Sequence, residues 1–168
     1  MGPSRVTARD MESWFNSKRS GGAATVPVRH LAQMFLDEGR AEGVAGDVAF
    51  VQAMLETGWL RFSARMPRLN NNFSGLGAVD SGTGSDRFPS ARVGVRAQIQ
   101  HLRAYADAKA HPSRLAHRLV DKRFHYVHKG RATRWANFGS GVWASSRTYG
   151  ADILRLYGEL LTWAAARR

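Results

Sequence analysis

The chain has 168 residues, 43% of them hydrophobic and five of them tryptophan, a composition that suits one folded domain and excludes a disordered segment. It has no cysteine, which rules out disulfide frameworks and thiolate metal sites, and no apolar run reaches the roughly 18 residues that a membrane span needs. Lys and Arg number 25 against 13 Asp and Glu; the net charge of +12 favours polyanions such as nucleic acid, anionic lipid or an anionic cell wall, without choosing among them.

The opening stretch MGPSRVTARDMESWF lacks the apolar core of a signal peptide. Thr7 and Asp10 are capping residues ahead of Met11, Trp14 and Phe15, and predict a short first helix. Ser17 to Pro27 reads as loop, and residues 1–26 are expected to be an N-terminal extension of one domain spanning residues 1–168. From Pro27, a residue suited to a first helical turn, a second helix carries Leu31, Met34 and Phe35 up to Gly39. Gly43 and Gly46 break the chain, and Asp47, an acid at the positive end of a helix, opens a third helix over Val48–Leu60. Between Pro67 and Pro89 the periodicity vanishes, predicting loop or a small β-hairpin. Ala91–Ala108 is a fourth helix with Val95, Ile99 and Leu102 on one stripe, and a shorter one begins at Pro112. Residues 121–147 are basic, aromatic and irregular. Thr148–Ala166 closes the chain as a long helix with Ile153, Leu154, Tyr157, Leu160 and Leu161 inward. The fold class is mainly α.

Within VAFVQAMLETGWL, Val48 to Leu60, a glutamate sits in an apolar helix. On a helical wheel Val48, Val51, Met54 and Leu55 share one face, whereas Glu56 projects to a side shared with Ala49, Gln52 and Ala53. Those small or polar neighbours leave room for something to approach the carboxyl group. Apolar walls make ionisation costly and raise a carboxyl pKa, the property a general acid needs near neutrality. The plainer reading is a helix-end glutamate that reaches solvent or pairs with Arg61 or Arg65.

The residues that follow carry a resemblance. QAMLETGW, then NNFSGLGA, then FPSARVGVRAQIQHLRAYA, and finally DKRFHYVHKGRATRWANFGSGVWASSRTYGADIL occur in the order found in the glucosaminidase domains that cleave bacterial peptidoglycan. This chain resembles that group (glycoside hydrolase family 73, of lysozyme-like fold) from about Pro27 to Leu161. The resemblance implies a peptidoglycan hydrolase that cuts β-1,4 bonds on the reducing side of N-acetylglucosamine, with Glu56 as general acid. It implies that Gln52, Asn71, Asn72, Phe73 and Gly75 belong to a sugar groove, and that Tyr126, Trp135, Trp143 and Tyr149 are aromatic candidates for it, with Tyr149 near Glu56. Amides and glycine backbone suit hydrogen bonding to N-acetyl and hydroxyl groups. A loop whose asparagines satisfy their own backbone is the alternative, and it is preferred for Asn70.

Glycosidases commonly use two carboxyl groups, and the second one here is Asp80 or Asp86, of which Asp80 is the better candidate. Members of the family often flank this aspartate with cysteines, where this chain has Val79 and Gly82. If neither acid serves, the substrate's own N-acetyl oxygen or a muramyl 6-hydroxyl could attack, and the latter would make the enzyme a lytic transglycosylase. A muramidase using the same Glu56, a non-catalytic wall-binding or virion module, and a basic nucleic-acid binder are the other readings.

The six histidines form no metal-ligand pattern, so no metal and no cofactor are expected. Basic residues cluster at Arg61, Arg65 and Arg68, and again at Arg114, Arg118, Lys122, Arg123, Lys129, Arg131 and Arg134. That surface would attract anionic cell-wall polymers. Nucleic acid and membrane insertion are not expected, a monomer is, and the resemblance implies an extracellular or cell-wall location as an exported domain or a phage lysis or virion protein.

Overall fold

The structure, a computed structural model, describes residues 1–18, 21–78 and 84–168. Among these described residues are five helices: α1 (Ala8–Ser17), α2 (Val28–Glu42), α3 (Gly46–Glu56), α4 (Ala91–Ala106) and α5 (Tyr149–Ala165). Short 3-10 turns at Arg68–Asn70, Pro112–Arg114, Phe124–Tyr126 and Trp135–Phe138 punctuate the rest. The protein is mainly α, and no strand occurs among the described residues.

Local chemistry explains most boundaries. The Thr7 hydroxyl accepts from Asp10 N–H while the Asp10 carboxylate takes Thr7 N–H, a reciprocal cap that fixes the start of α1. The second helix runs three residues past Gly39, to Glu42, because Gly43 and not Gly39 supplies the left-handed closing residue, at φ 69°. At Pro112 only a single 3-10 turn forms.

Helix α3 is the hub, and every residue from Gly46 to Met54 is buried. Phe50 meets Phe35 of α2 edge-on at 5.7 Å, and α4 and α5 cover the remaining sides with Val95, Ile99, Ile153 and Leu160. Helix α1 adds Met11, Trp14 and Phe15 to the same core, so the predicted extension is packed against α2 and α5. Between α2 and α4 lies a row of ion pairs: Glu38, 2% exposed, binds Arg96 at 2.9 Å and Arg92 at 3.2 Å, and Glu42 binds Arg103.

Two irregular segments position the site. The third helix stops at Glu56, short of the expected Leu60, because Thr57 turns its hydroxyl back to Ala53 C=O (2.7 Å) and accepts Leu60 N–H (2.9 Å). Gly58, Trp59 and Leu60 then all take left-handed backbone conformations (φ 57°, 61° and 60°), which for the two non-glycine residues costs on the order of 1 kcal/mol each. Packing of Trp59 on Trp14 (4.9 Å) and a hydrogen bond from Gly22 N–H to Trp59 C=O (2.8 Å) hold this turn. Between α3 and α4, residues 67–78 and 84–90 form a loop. Backbone bonds from Asp86 N–H to Leu76 C=O (2.8 Å) and from Phe88 N–H to Asn70 C=O (2.9 Å) join its two arms, and one side chain adds to them. Asn72 donates to the carbonyls of Leu76 (2.8 Å) and Asp86 (3.0 Å) and accepts from the N–H groups of Ser74 and Leu76.

Candidate active site

Glu56 is the last residue of α3 and half-buried. Its Oε1 accepts two hydrogen bonds, one from the Trp143 indole N–H at 2.9 Å and one from the Tyr149 hydroxyl. Its Oε2 lies beside Gly75, where a methyl group in place of hydrogen would stand 3.4 Å away. Gly75 has φ +69°, a backbone conformation that favours glycine, and Oε2 has no hydrogen-bond partner among the described residues. Arg61 is turned away, its Nε bound to Gly58 C=O, and no cation pairs with Glu56 among the described residues.

The tyrosine is fixed as a donor by the residues behind it. Gln98 on α4 donates through Nε2 to Ala49 C=O (3.1 Å) and to Gln52 Oε1 (2.9 Å). Gln52 in turn donates to the Tyr149 oxygen at 3.1 Å, leaving the phenolic proton to point at Glu56. Gln52 and Gln98 are both fully buried, so this chain is shielded from water. The small side chains around Gln52 therefore make room for Gln98 and Tyr149, not for a ligand alongside α3.

Burial pushes the Glu56 carboxyl above the ordinary range, against the opposing pull of the Tyr149 and Trp143 hydrogen bonds. Tyr149 is pushed up as well, by burial and by the carboxylate beside it, so it remains a protonated donor. Because both donors occupy Oε1, a proton on the neutral acid belongs on Oε2. Burial thus raises the Glu56 carboxyl, and one of its oxygens is anchored while the other has no hydrogen-bond partner among the described residues, an arrangement that suits proton transfer.

The other expected site residues are placed differently. Asn71 donates to Phe88 C=O (3.2 Å) and accepts from the Thr25 hydroxyl, tying the loop to the segment before α2. Asn72 is fully buried with all its hydrogen-bonding capacity used inside the loop, so it holds the loop in shape and presents nothing to a sugar. Phe73 is a core residue against Phe35 and Phe62, each at 6.2 Å. Tyr126 is 78% exposed and makes no contact with the Glu56 group, and Trp135 stacks on Phe138 at 5.4 Å. Asp86 faces Arg123 (3.5 Å) and Lys122 (3.9 Å). Asp80 lies outside the described residues.

Three residues near Glu56 escape a reading of the sequence: Gln98, His101 and Asp121. His101 meets the Trp143 ring edge-on at 5.2 Å, and its Nδ1 binds the buried carboxylate of Asp121 at 2.7 Å. The available signal is their placement: Gln98 and His101 are polar side chains on the inward-facing part of α4. Among the described residues no three histidine or carboxylate groups converge to hold a metal ion.

Comparison with known proteins agrees with the geometry. The chain is 33% identical over 141 residues to an uncharacterized protein of Borreliella burgdorferi, a match covering 84% of this chain and 67% of that relative. Residues 32–161 match the family model described as Glucosaminidase, mannosyl-glycoprotein endo-beta-N-acetylglucosaminidase, a span that includes Glu56, Gly75, Trp143 and Tyr149. Residues 32–161 make up most of the chain, and the match over that span leads to one conclusion: this protein belongs to the glucosaminidase family.

Proposed function

We propose that this protein is an endo-β-N-acetylglucosaminidase that hydrolyses β-1,4 bonds in peptidoglycan glycan strands, with Glu56 as the general acid. The observation that carries the reading is the asymmetric hydrogen bonding of Glu56: two neutral donors on Oε1 and, among the described residues, none on Oε2, which lies beside Gly75. In the reaction Oε2 gives its proton to the leaving glycosidic oxygen as positive charge develops on the sugar ring. The Trp143 and Tyr149 donors then stabilise the carboxylate that remains. Family membership supports a glycosidase, and the order of motifs along the chain supports peptidoglycan as its substrate.

Asp86 is engaged by Arg123 and Lys122, which leaves Asp80 or the substrate's own N-acetyl oxygen to complete the displacement at carbon. Trp143 and Tyr149 line the acid, and Tyr126 is a candidate for a more distant contact with the strand. The surplus of 12 positive charges supports attraction to anionic cell-wall polymers, an effect that weakens with salt, and an extracellular or wall-associated site of action. The packing of α1 into the core supports residues 1–168 acting as one domain.

The test is digestion of purified sacculi with wild type and Glu56→Gln, followed by borohydride reduction and mass spectrometry of the released ends. Reduced N-acetylglucosamine ends from wild type alone are expected. Reduced N-acetylmuramic acid ends would replace the reading with a muramidase, and 1,6-anhydro ends with a lytic transglycosylase. Sedimentation with sacculi without release by either protein would overturn the enzyme and leave a wall-binding module.

A further inference from the structure

The two hydrogen bonds to Glu56 are supported in different ways. Tyr149 stands on the first turn of α5 and is backed by the buried Gln52–Gln98 chain. Trp143 stands on a loop, where Ser140 and Gly141 are left-handed (φ 57° and 82°) and the loop's own bonds are backbone turns such as Gly141 N–H to Ala144 C=O at 2.8 Å. Nothing in that loop determines which way the indole N–H points.

The orientation comes from α4. The Tyr105 hydroxyl donates to the carbonyl of Val142 at 2.9 Å, anchoring the residue before Trp143, and its ring lies 5.8 Å from the indole. His101, one turn earlier on the same helix, meets the indole edge-on at an interplanar angle of 80°. Phe138 closes the third side at 5.8 Å. His101 is itself held. Its Nδ1 shares a hydrogen with Asp121 Oδ2, and Asp121 is fixed by Arg123 N–H on Oδ1 (2.8 Å) and by its own N–H to Gln100 (3.2 Å). Asp121 is 1% exposed. A buried carboxylate is expensive unless fully hydrogen-bonded, and here it meets that cost with a ring that touches the indole.

We propose that His101 and Asp121 are positioning residues that set the angle of the Trp143 indole and so deliver its N–H to Glu56 Oε1. The inference rests on the reading of Glu56 as the general acid. Neither residue touches substrate; both act through Trp143.

The experiment is a carbon-13 titration of the Glu56 side-chain carboxyl in labelled protein, run with the pH profile of sacculus digestion. An N–H donor stabilises the carboxylate, so losing it moves the Glu56 titration upward. Trp143→Phe, which removes only the donor, is expected to shift the titration upward and to carry the alkaline limb of the pH profile with it. His101→Phe keeps a ring but breaks the bond to Asp121, and is expected to shift both in the same direction, with an activity loss of about tenfold near neutrality. Asp121→Asn leaves one acceptor oxygen for two donors, His101 Nδ1–H and Arg123 N–H, and is expected to shift the titration upward by less than His101→Phe does. In the double variant Trp143→Phe, His101→Phe, the titration should match Trp143→Phe alone.

A purely structural role for the pair would lower the unfolding temperature of His101→Phe with the Glu56 titration unmoved, and that result overturns the proposal. An additional upward shift in the double variant overturns it too, since His101 would then act on Glu56 by another route. The carboxyl titration does not depend on turnover. Titration shifts as expected in a protein that releases no muropeptides would uphold the positioning device while rejecting the hydrolase reading.

Discussion

Glu38 and Glu56 lie on neighbouring helices, and each is withdrawn from water, yet the structure treats them in opposite ways. Glu38 sits in the middle of α2 against Arg96, Arg92 and His117. Burial draws its carboxyl upward, but the two guanidinium groups outweigh that and hold it below the ordinary 4.5. Glu56 sits at the end of α3 and meets a phenol and an indole, neutral donors that only partly offset the cost of burial, so its carboxyl stands above 4.5. Burial by itself therefore does not decide what a carboxylate is for. Charged partners make it a structural anion, whereas neutral partners keep it available as an acid.

The sharpest way to test that contrast is to neutralise each acid in turn. Glu56→Gln is expected to lower muropeptide release by about 10²–10⁴-fold, the usual worth of a general acid, with the fold intact by circular dichroism. Glu38→Gln should do the reverse. It leaves Arg96 short of its partner and should cost about 2 kcal/mol by urea unfolding, with activity per folded molecule unchanged. The partial exposure of both arginines keeps that figure below the value for a wholly buried pair.

Removing one donor from Glu56 comes next in size. Tyr149→Phe should reduce turnover about tenfold and move the alkaline limb of the pH profile upward, because the carboxylate form loses a hydrogen bond. Gly75→Ala forces a side chain into φ +69° beside Glu56 Oε2 and should cost about 1 kcal/mol, with a smaller loss of activity.

The smallest effect is a pH dependence of opposite sign at the two positions. Glu38, held below 4.5 in the folded state, contributes stability that is present above that value and lost as pH falls through the lowered one. Glu56, held above 4.5, contributes stability that is complete at low pH and lost as pH rises through the raised value. Urea midpoints at about pH 4 and about pH 8 should show Glu56→Gln gaining on wild type as pH rises and Glu38→Gln falling behind.

The helices were legible in the sequence because their signals are local: Thr7 with Asp10, Pro27, Gly43 and the stripe through Val95, Ile99 and Leu102. Glu56 was legible as a candidate acid, since a glutamate in an apolar helix ahead of a glycine is a local conflict. What surrounds it was less so. Gln52 was expected to face sugar, yet it faces Gln98, 46 positions away, and nothing local to either residue announces that bond. The asparagines next to Phe73 have a composition that fits a sugar groove and a tied loop equally well. Their geometry in the fold assigns them to the loop. The role of His101 depends on Asp121 and Trp143, which meet it only because the irregular segment after α4 folds back over that helix.

The left-handed turn after Glu56 has a consequence for anyone who recombines this enzyme. The family match begins at residue 32, and a natural cut for a chimera or a minimal version would be there. That cut discards Gly22, whose backbone packs so closely on Leu60 that a methyl group would come within 2.1 Å of its carbonyl oxygen. It also discards Trp14 and Phe15, which brace Trp59. The acid would be retained, but the turn that ends its helix would lose its brace. Modules exchanged within this family at residue 32 should be expected to express as poorly folded or sluggish proteins, and those that keep residues 1–31, whose Ser4 and Arg5 also hydrogen-bond the start of α3, to carry their activity with them.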